Sequence, residues 1–304
     1  MFFVSFVVEM KIFLTGATGF IGSHVARALV AAGNEVHALV RPQGDLWRVE
    51  DIKSALHLVR GDLLDASFTF PSQSFDCCIH LAWYVEPGKY LESPQNRQWA
   101  ETSIRFARTI QDAGCRRFVA AGTCFEYATS DEPLRESSPT GPRTLYAQSK
   151  LELFNTLQSL DMEIVWVRFF YQYGPHEDPR RLVPVVINAL LRGQETKLVP
   201  GDRRRDYLHI EDVASAVAAV AQSRLTGAVN IGSGAPTTVA GIGMKIGKLI
   251  GRPELVKLGA LPYSPTEPMH IVSDNTKLKS TGWNPRHNLD EGLRRTIDWW
   301  RTRL

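Results

Sequence analysis

Three glycines limit what this chain can fold into. The stretch FLTGATGFIG places Gly16, Gly19 and Gly22 between a short apolar run and an apolar helical pattern. At such a junction the first glycine permits a tight turn. The second lets a pyrophosphate approach the backbone, and the third lets the helix pack closely on the sheet. The helix N-terminus then offers unpaired N–H groups and the positive end of its dipole. Thr18 lies inside the loop, and Phe20 and Ile21 open the helix, so they join the three glycines as expected dinucleotide contacts. A glycine trio alone is weak evidence. Here it follows the first strand and heads a strand–helix series, and this context predicts dinucleotide binding.

The series runs through the first half of the chain. Short β-branched runs fall at Lys11–Thr15, Glu35–Val40, Leu56–Arg60, Cys77–Leu81, Arg117–Ala121 and Glu163–Arg168. Helical patterns lie between several of them, at Ile21–Ala32, Gln95–Ala113 and Tyr146–Leu160. This alternation predicts an α/β fold, a Rossmann-type doubly wound parallel sheet. After Arg168 the pattern changes. YGPHEDPRRLVP and GDRRRDYLH read as polar loops, Ile210–Gln222 as a helix and Ala228–Ile231 as a strand. The remainder, including YSPTEP and GWNPRHNLDEGL, reads as a smaller C-terminal α/β substrate lobe of short elements ending in a helix at Asp290–Arg303. The expected division is residues 1–171 plus about 206–234 for the dinucleotide-binding domain, and about 172–205 plus 235–304 for the substrate lobe.

Bulk properties exclude some functions. The 304 residues carry a formal net charge of +3, and no basic run exceeds Arg203–Arg205. Neither nucleic acid nor a membrane is an expected partner. The 4 cysteines, Cys77, Cys78, Cys115 and Cys124, have no zinc or disulfide spacing, which points to a reducing cytoplasm. MFFVSFVVE is apolar but lacks a basic flank and a cleavage site, and it is too short to span a bilayer. It reads as an over-long start or a strand-like tail without a catalytic role.

Further cofactor contacts follow from the strand ends. Units that bind NAD place a carboxylate near the end of the second strand for the ribose 2′-hydroxyl. Here that position holds Arg41, suited to a 2′-phosphate and hence to NADP(H), with NAD(H) as the alternative. Asp62 and Leu63 follow the third strand, where they can meet the adenine amino group and ring. Leu81, Ala82 and Trp83 follow the fourth and would run past the ribose and phosphates. His80 reads as a core histidine.

GPRTLYAQSKLE sets Tyr146 four residues before Lys150, on one face of a helix. By itself this spacing fits either a surface pair or an acid catalyst tuned by a neighbouring ammonium.

Together GATGFIG, GDL, HLAW, AGTCFEYA, YAQSK, RFFYQYGP, RRDYLHIEDVA and GWNP…LDEGL resemble the extended short-chain dehydrogenase/reductases. That family contains nucleotide-sugar epimerases, dehydratases and ketoreductases, and the resemblance covers nearly all of Met10–Leu304. It implies that Tyr146 is the general acid or base. Lys150 would lower the phenol pKa and bond the nicotinamide ribose, and Thr123 would bond the reacting oxygen. It implies a substrate cleft between the two lobes and a homodimer through the helices at Gln95–Ala113 and Tyr146–Leu160. It also implies that Arg205 binds the diphosphate of a nucleotide-diphosphate sugar.

The departures narrow the reaction. Dehydratases of this family follow the catalytic threonine with Asp and Glu, where this chain has Cys124 and Phe125, so dehydration is not expected. Tyr171 replaces an asparagine that contacts substrate in many relatives. A second diphosphate arginine would fall at Met269, and Arg180 or Arg181 are its candidate substitutes. The expected function is NADPH-dependent reduction of the 4-keto group of a nucleotide-activated 6-deoxyhexose. The alternatives are a nucleotide-sugar epimerase with tightly held NAD and a non-catalytic NADP-sensing regulator. An intact Thr123, Tyr146 and Lys150 argues against the regulator.

Overall fold

The structure, a computed structural model, describes residues 9–262 and 268–304. Residues 1–8 of the apolar tail and most of YSPTEP lie outside the described residues.

In chain order the first half gives β1 (Lys11–Thr15), α1 (Phe20–Ala31), β2 (Glu35–Val40), β3 (His57–Arg60), β4 (Cys77–His80), α2 (Gln95–Asp112), β5 (Arg117–Thr123), α3 (Leu145–Leu157) and β6 (Glu163–Phe169). The second half gives β7 (Tyr171–Tyr173), α4 (Leu182–Leu191), β8 (Thr196–Lys197), β9 (Arg204–His209), α5 (Ile210–Gln222) and β10 (Gly227–Ile231). It ends with β11 (Pro236–Thr238), α6 (Val239–Ile250), β12 (Val256–Lys257), β13 (His270–Ile271), α7 (Thr276–Lys279) and α8 (Leu289–Arg301).

Seven strands form one sheet in the order β10-β6-β5-β4-β1-β2-β3. The five strands from β3 to β5 pair in parallel. Strand order reverses between β1 and β4, the switch point at which a doubly wound Rossmann fold opens a crevice for a ligand. β4 is buried along its whole length, Cys77 and Cys78 included, because both sheet faces are covered. All four cysteines are free and buried.

Chain contacts divide the molecule into two units. Among the described residues, the first comprises those up to Gly122 together with Arg143–Val167 and Ala214–Ala228. Its core packs Phe13, Phe75, Phe106 and Phe118 with Phe154 and Trp166, whose rings stack at 5.2 Å. The second unit comprises Thr123–Pro142, Arg168–Val213 and Val229–Leu304. There α4, α6 and α8 bury Val186, Ile187, Ile246, Leu293 and Ile297 together.

Two expected loops are corrected. GDRRRDYLH contains β9, whose residues from Arg205 to His209 are all buried. Its buried acid is solvated by the protein itself. The Asp206 carboxylate accepts from the Ser233, Gly234 and Ser273 backbone N–H groups and from the Ser233 and Ser273 hydroxyls. A buried carboxylate is tolerated when its lone pairs are filled in this way. YGPHEDPRRLVP begins inside β7 and ends inside α4.

Candidate active site

The glycine loop closes the carboxyl end of β1. Gly16 has φ 75°, a left-handed conformation that favours glycine, and a Cβ there would lie 2.8 Å from Ala82 N and from the Leu81 carbonyl carbon. A Cβ on Gly22 would lie 2.0 Å from Gly16 O. A Cβ on Gly19 would meet only Gly16 O, at 3.2 Å. Gly16 and Gly22 therefore make the turn possible, and Gly19 leaves one face of it open. Gly19 is also the N-cap of α1, which carries no side-chain cap and no acid in its first turn. The backbone geometry and the uncapped helix end fit a dinucleotide pyrophosphate.

Leu81, Ala82 and Trp83 pass directly over this loop, held by a hydrogen-bonded chain. Ala82 N–H donates to Thr15 Oγ1 (3.2 Å), which lies 2.8 Å from His80 Nδ1. His80 Nε2 is 2.9 Å from Ser103 Oγ, and that hydroxyl donates to Trp99 O. Since Ser103 gives its proton to Trp99, it must accept from Nε2–H. His80 is thus a neutral Nε2–H tautomer whose Nδ1 accepts from Thr15. Burial, and secondarily the Lys150 charge, push its pKa down to about 3. The unfolded chain, with an ordinary histidine, binds more protons as pH falls below about 6.5, so acidification destabilises the fold. By pH 5 this group should cost on the order of 2 kcal/mol. Urea unfolding at pH 7 and pH 5 checks this: His80→Gln should lose about that much less stability than the parent, and an equal loss would contradict it.

Trp83 carries more than backbone contacts. The Lys150 ammonium sits 3.5 Å from its ring centroid, and the ring makes a T-shaped contact with Tyr146 at 6.5 Å. Tyr90 meets Tyr146 edge-on at 4.9 Å. Thr144 caps α3 by accepting from Ala147 N–H, which sets Tyr146 in the first turn and Lys150 one turn on. Tyr146 and Lys150 are 9 % and 3 % exposed, so the pair is not a surface ion-pairing motif. Lys150 also donates to Ala121 O at 2.7 Å.

Asp62 accepts from Leu64 N–H, and Leu63 is buried in the first core. Arg41 is exposed just beyond β2. Its carbonyl and that of Pro42 accept from Arg60 at 3.4 Å. Arg60, at the end of β3, adds a cation beside Arg41, and Arg48, which donates to Thr18 O at 3.5 Å, adds one beside the glycine loop. Sequence reasoning missed both, because an arginine in a polar stretch carries no pattern.

In the second unit, Thr123 Oγ1 accepts from Phe125 N–H (3.3 Å), and Thr123 N–H donates to Glu126 (2.8 Å). The hydroxyl so used still has its own proton to donate. Glu126, fully buried, is paired with the buried Arg168 at 2.7 Å. Cys124 is 5 % exposed, and burial raises its thiol pKa well above the usual range. Phe125 packs edge-on to Tyr171 at 6.3 Å. Arg205 is 1 % exposed, donates to Arg204 O and Met269 O, and lies 5.5 Å from the Tyr171 ring. Arg180 is engaged by Asp178 through its backbone and guanidinium. Arg181 is half-buried at the N-cap of α4.

A Rossmann sheet with this loop and this Tyr–Lys pair defines a dinucleotide-dependent class of protein. Residues 12–232 match the model of the NAD dependent epimerase/dehydratase family, and the chain belongs to that family. It is 28 % identical to the UDP-glucose 4-epimerase of Mycolicibacterium smegmatis, covering 97 % of this chain and 99 % of that protein. It is 27 % identical to a trifunctional UDP-glucose 4,6-dehydratase/UDP-4-keto-6-deoxy-D-glucose 3,5-epimerase/UDP-4-keto-L-rhamnose-reductase of Arabidopsis thaliana; the match covers 95 % of this chain, which spans about half, 47 %, of the plant enzyme. Among solved structures, the Thermus thermophilus UDP-glucose 4-epimerase complex with NAD superposes with a TM-score of 0.82 at 26 % identity, covering 97 % of this chain and 100 % of that one. Among the described residues, no helix is long and apolar enough to cross a membrane.

Proposed function

We propose that the protein uses NADPH to reduce the 4-keto group of a nucleotide-activated 6-deoxyhexose. The observation that carries this reading is the segment after Thr123. Eliminating water across C5 and C6 needs a base and an acid beside the sugar. Cys124 is a buried thiol with a raised pKa, Phe125 has no proton to move, and Glu126 is locked to Arg168. Hydride transfer needs none of these groups.

When bound, the dinucleotide would supply the hydride. Tyr146 gives the proton to the oxygen that becomes the hydroxyl, and Thr123 donates a hydrogen bond to the same oxygen as negative charge develops on it. Lys150 orients the phenol and bonds the nicotinamide ribose. Arg205 and Arg181 neutralise the substrate diphosphate.

The cofactor preference rests on Arg41, with Arg60 bonded to its carbonyl. Arg41→Ala is expected to weaken NADPH by about 1.5–3 kcal/mol while leaving NADH nearly unchanged. Titration of both cofactors checks this, and equal affinities in the parent protein would contradict it.

A nucleotide-sugar epimerase is the second reading, because the Mycolicibacterium and Thermus relatives bear that name. Mass analysis of the cofactor carried through purification separates the two. An exchangeable NADPH supports the reductase. A stoichiometric, tightly retained NAD supports the epimerase.

A further inference from the structure

We propose that Trp83 and Asn96 are positioning residues for the Tyr146–Lys150 pair: the indole face carries the Lys150 ammonium, and Asn96 fixes the indole. This rests on the reading of Tyr146 as the acid and Lys150 as its partner.

Lys150 is 3 % exposed, and its ammonium lies 3.5 Å from the Trp83 ring centroid, well inside the 6 Å or so over which a cation is drawn to an aromatic face. Away from water that attraction is at its strongest, and the aromatic quadrupole offsets part of the cost of burying the charge. The ring cannot swing away. Trp83 Nε1–H donates to Asn96 Oδ1 at 2.9 Å, and Asn96 is fully buried. Asn96 Nδ2 donates in turn to Tyr90 O at 2.6 Å and Ser93 O at 2.9 Å. One amide therefore anchors the indole that faces Lys150 and the short 3-10 turn carrying Tyr90, whose ring packs on Tyr146. His80, in the same neighbourhood, is held neutral by its hydrogen-bonded chain and adds no competing charge.

An indole that only filled space would be replaceable by another apolar side chain. A positioning indole would not be, because leucine has no face for the ammonium. Lys150 would keep its 2.7 Å bond to the Ala121 carbonyl but lose the face that holds it from the other side, and its charge would act less on the Tyr146 phenol.

The test compares Trp83→Leu with Trp83→Phe, which retains a weaker aromatic face. Phenolate absorbance is followed against pH in protein freed of dinucleotide. The Tyr146 signal is isolated by subtracting the same protein carrying Tyr146→Phe. In Trp83→Leu the phenol should ionise about one pH unit higher than in the parent, and Trp83→Phe should recover at least half of that shift. With substrate and cofactor saturating, kcat should fall about tenfold in Trp83→Leu and no more than about threefold in Trp83→Phe. A lower melting temperature with an unmoved phenol titration in both variants would reduce Trp83 to packing and overturn the proposal. The titration needs no substrate, so it remains readable if the proposed reaction is wrong. Conversely, an active Tyr146→Phe enzyme would remove the acid while leaving the titration result for Trp83 unexplained by turnover, so the two failures are distinct.

Discussion

Tyr146→Phe is expected to lower kcat by about 10²–10⁴-fold, the usual contribution of a general acid, while leaving dinucleotide affinity close to that of the parent. The phenylalanine ring keeps the edge-on contact with Tyr90 at 4.9 Å, so only the hydroxyl is lost. Lys150→Ala should damage both quantities, because the role proposed for the ammonium covers both the phenol and the ribose. Steady-state kinetics with separate cofactor titrations check this. A Tyr146→Phe enzyme retaining more than about a tenth of kcat would require another proton donor.

Gly22→Ala should be the most disruptive single methyl addition in the loop. The added Cβ would stand 2.0 Å from Gly16 O and 2.6 Å from Gly16 C, and both are backbone atoms that cannot rotate aside. The turn must open or α1 must lift from the sheet, at a cost of about 3 kcal/mol, the upper end for overpacking. Gly19→Ala has only Gly16 O to meet, at 3.2 Å, and it stands on the open face. It should fold nearly as well as the parent yet lose dinucleotide affinity, since the methyl occupies the approach of the pyrophosphate. Denaturation and cofactor titration of the two variants form a crossed test. Equal effects on stability would contradict the separate roles assigned to the two glycines.

The same physics explains what the sequence discloses. β1 and β2 are legible to the residue because apolar and β-branched side chains run through them between polar breaks. β9 is not, because its RRDYLH reads as solvated polarity. Only the folded chain shows that Asp206 collects three backbone N–H groups and two hydroxyls. α4 hides behind Pro184 in its first turn, where a missing N–H costs nothing. α6 hides behind Gly241, Gly243 and Gly247, which depress helix propensity. Gly243 has a packing reason, since a Cβ there would meet Leu198 at 2.3 Å. For the candidate site, the glycine loop and the Tyr–Lys spacing are local patterns and could be read. The Lys150–Trp83 contact joins residues 67 positions apart, and Asn96 and Arg60 belong to no periodicity, so they emerge only when the elements pack.

Turnover stoichiometry tests the proposed carbonyl reduction by NADPH most directly. The enzyme is incubated with a 4-keto-6-deoxy nucleotide sugar and NADPH, and separately with an unmodified nucleotide hexose. Loss of reduced-nicotinamide absorbance should equal the sugar reduced, mole for mole, with no reaction of the unmodified hexose. Conversion of that hexose to its epimer without net consumption of NADPH would contradict the account and assign the site to epimerisation.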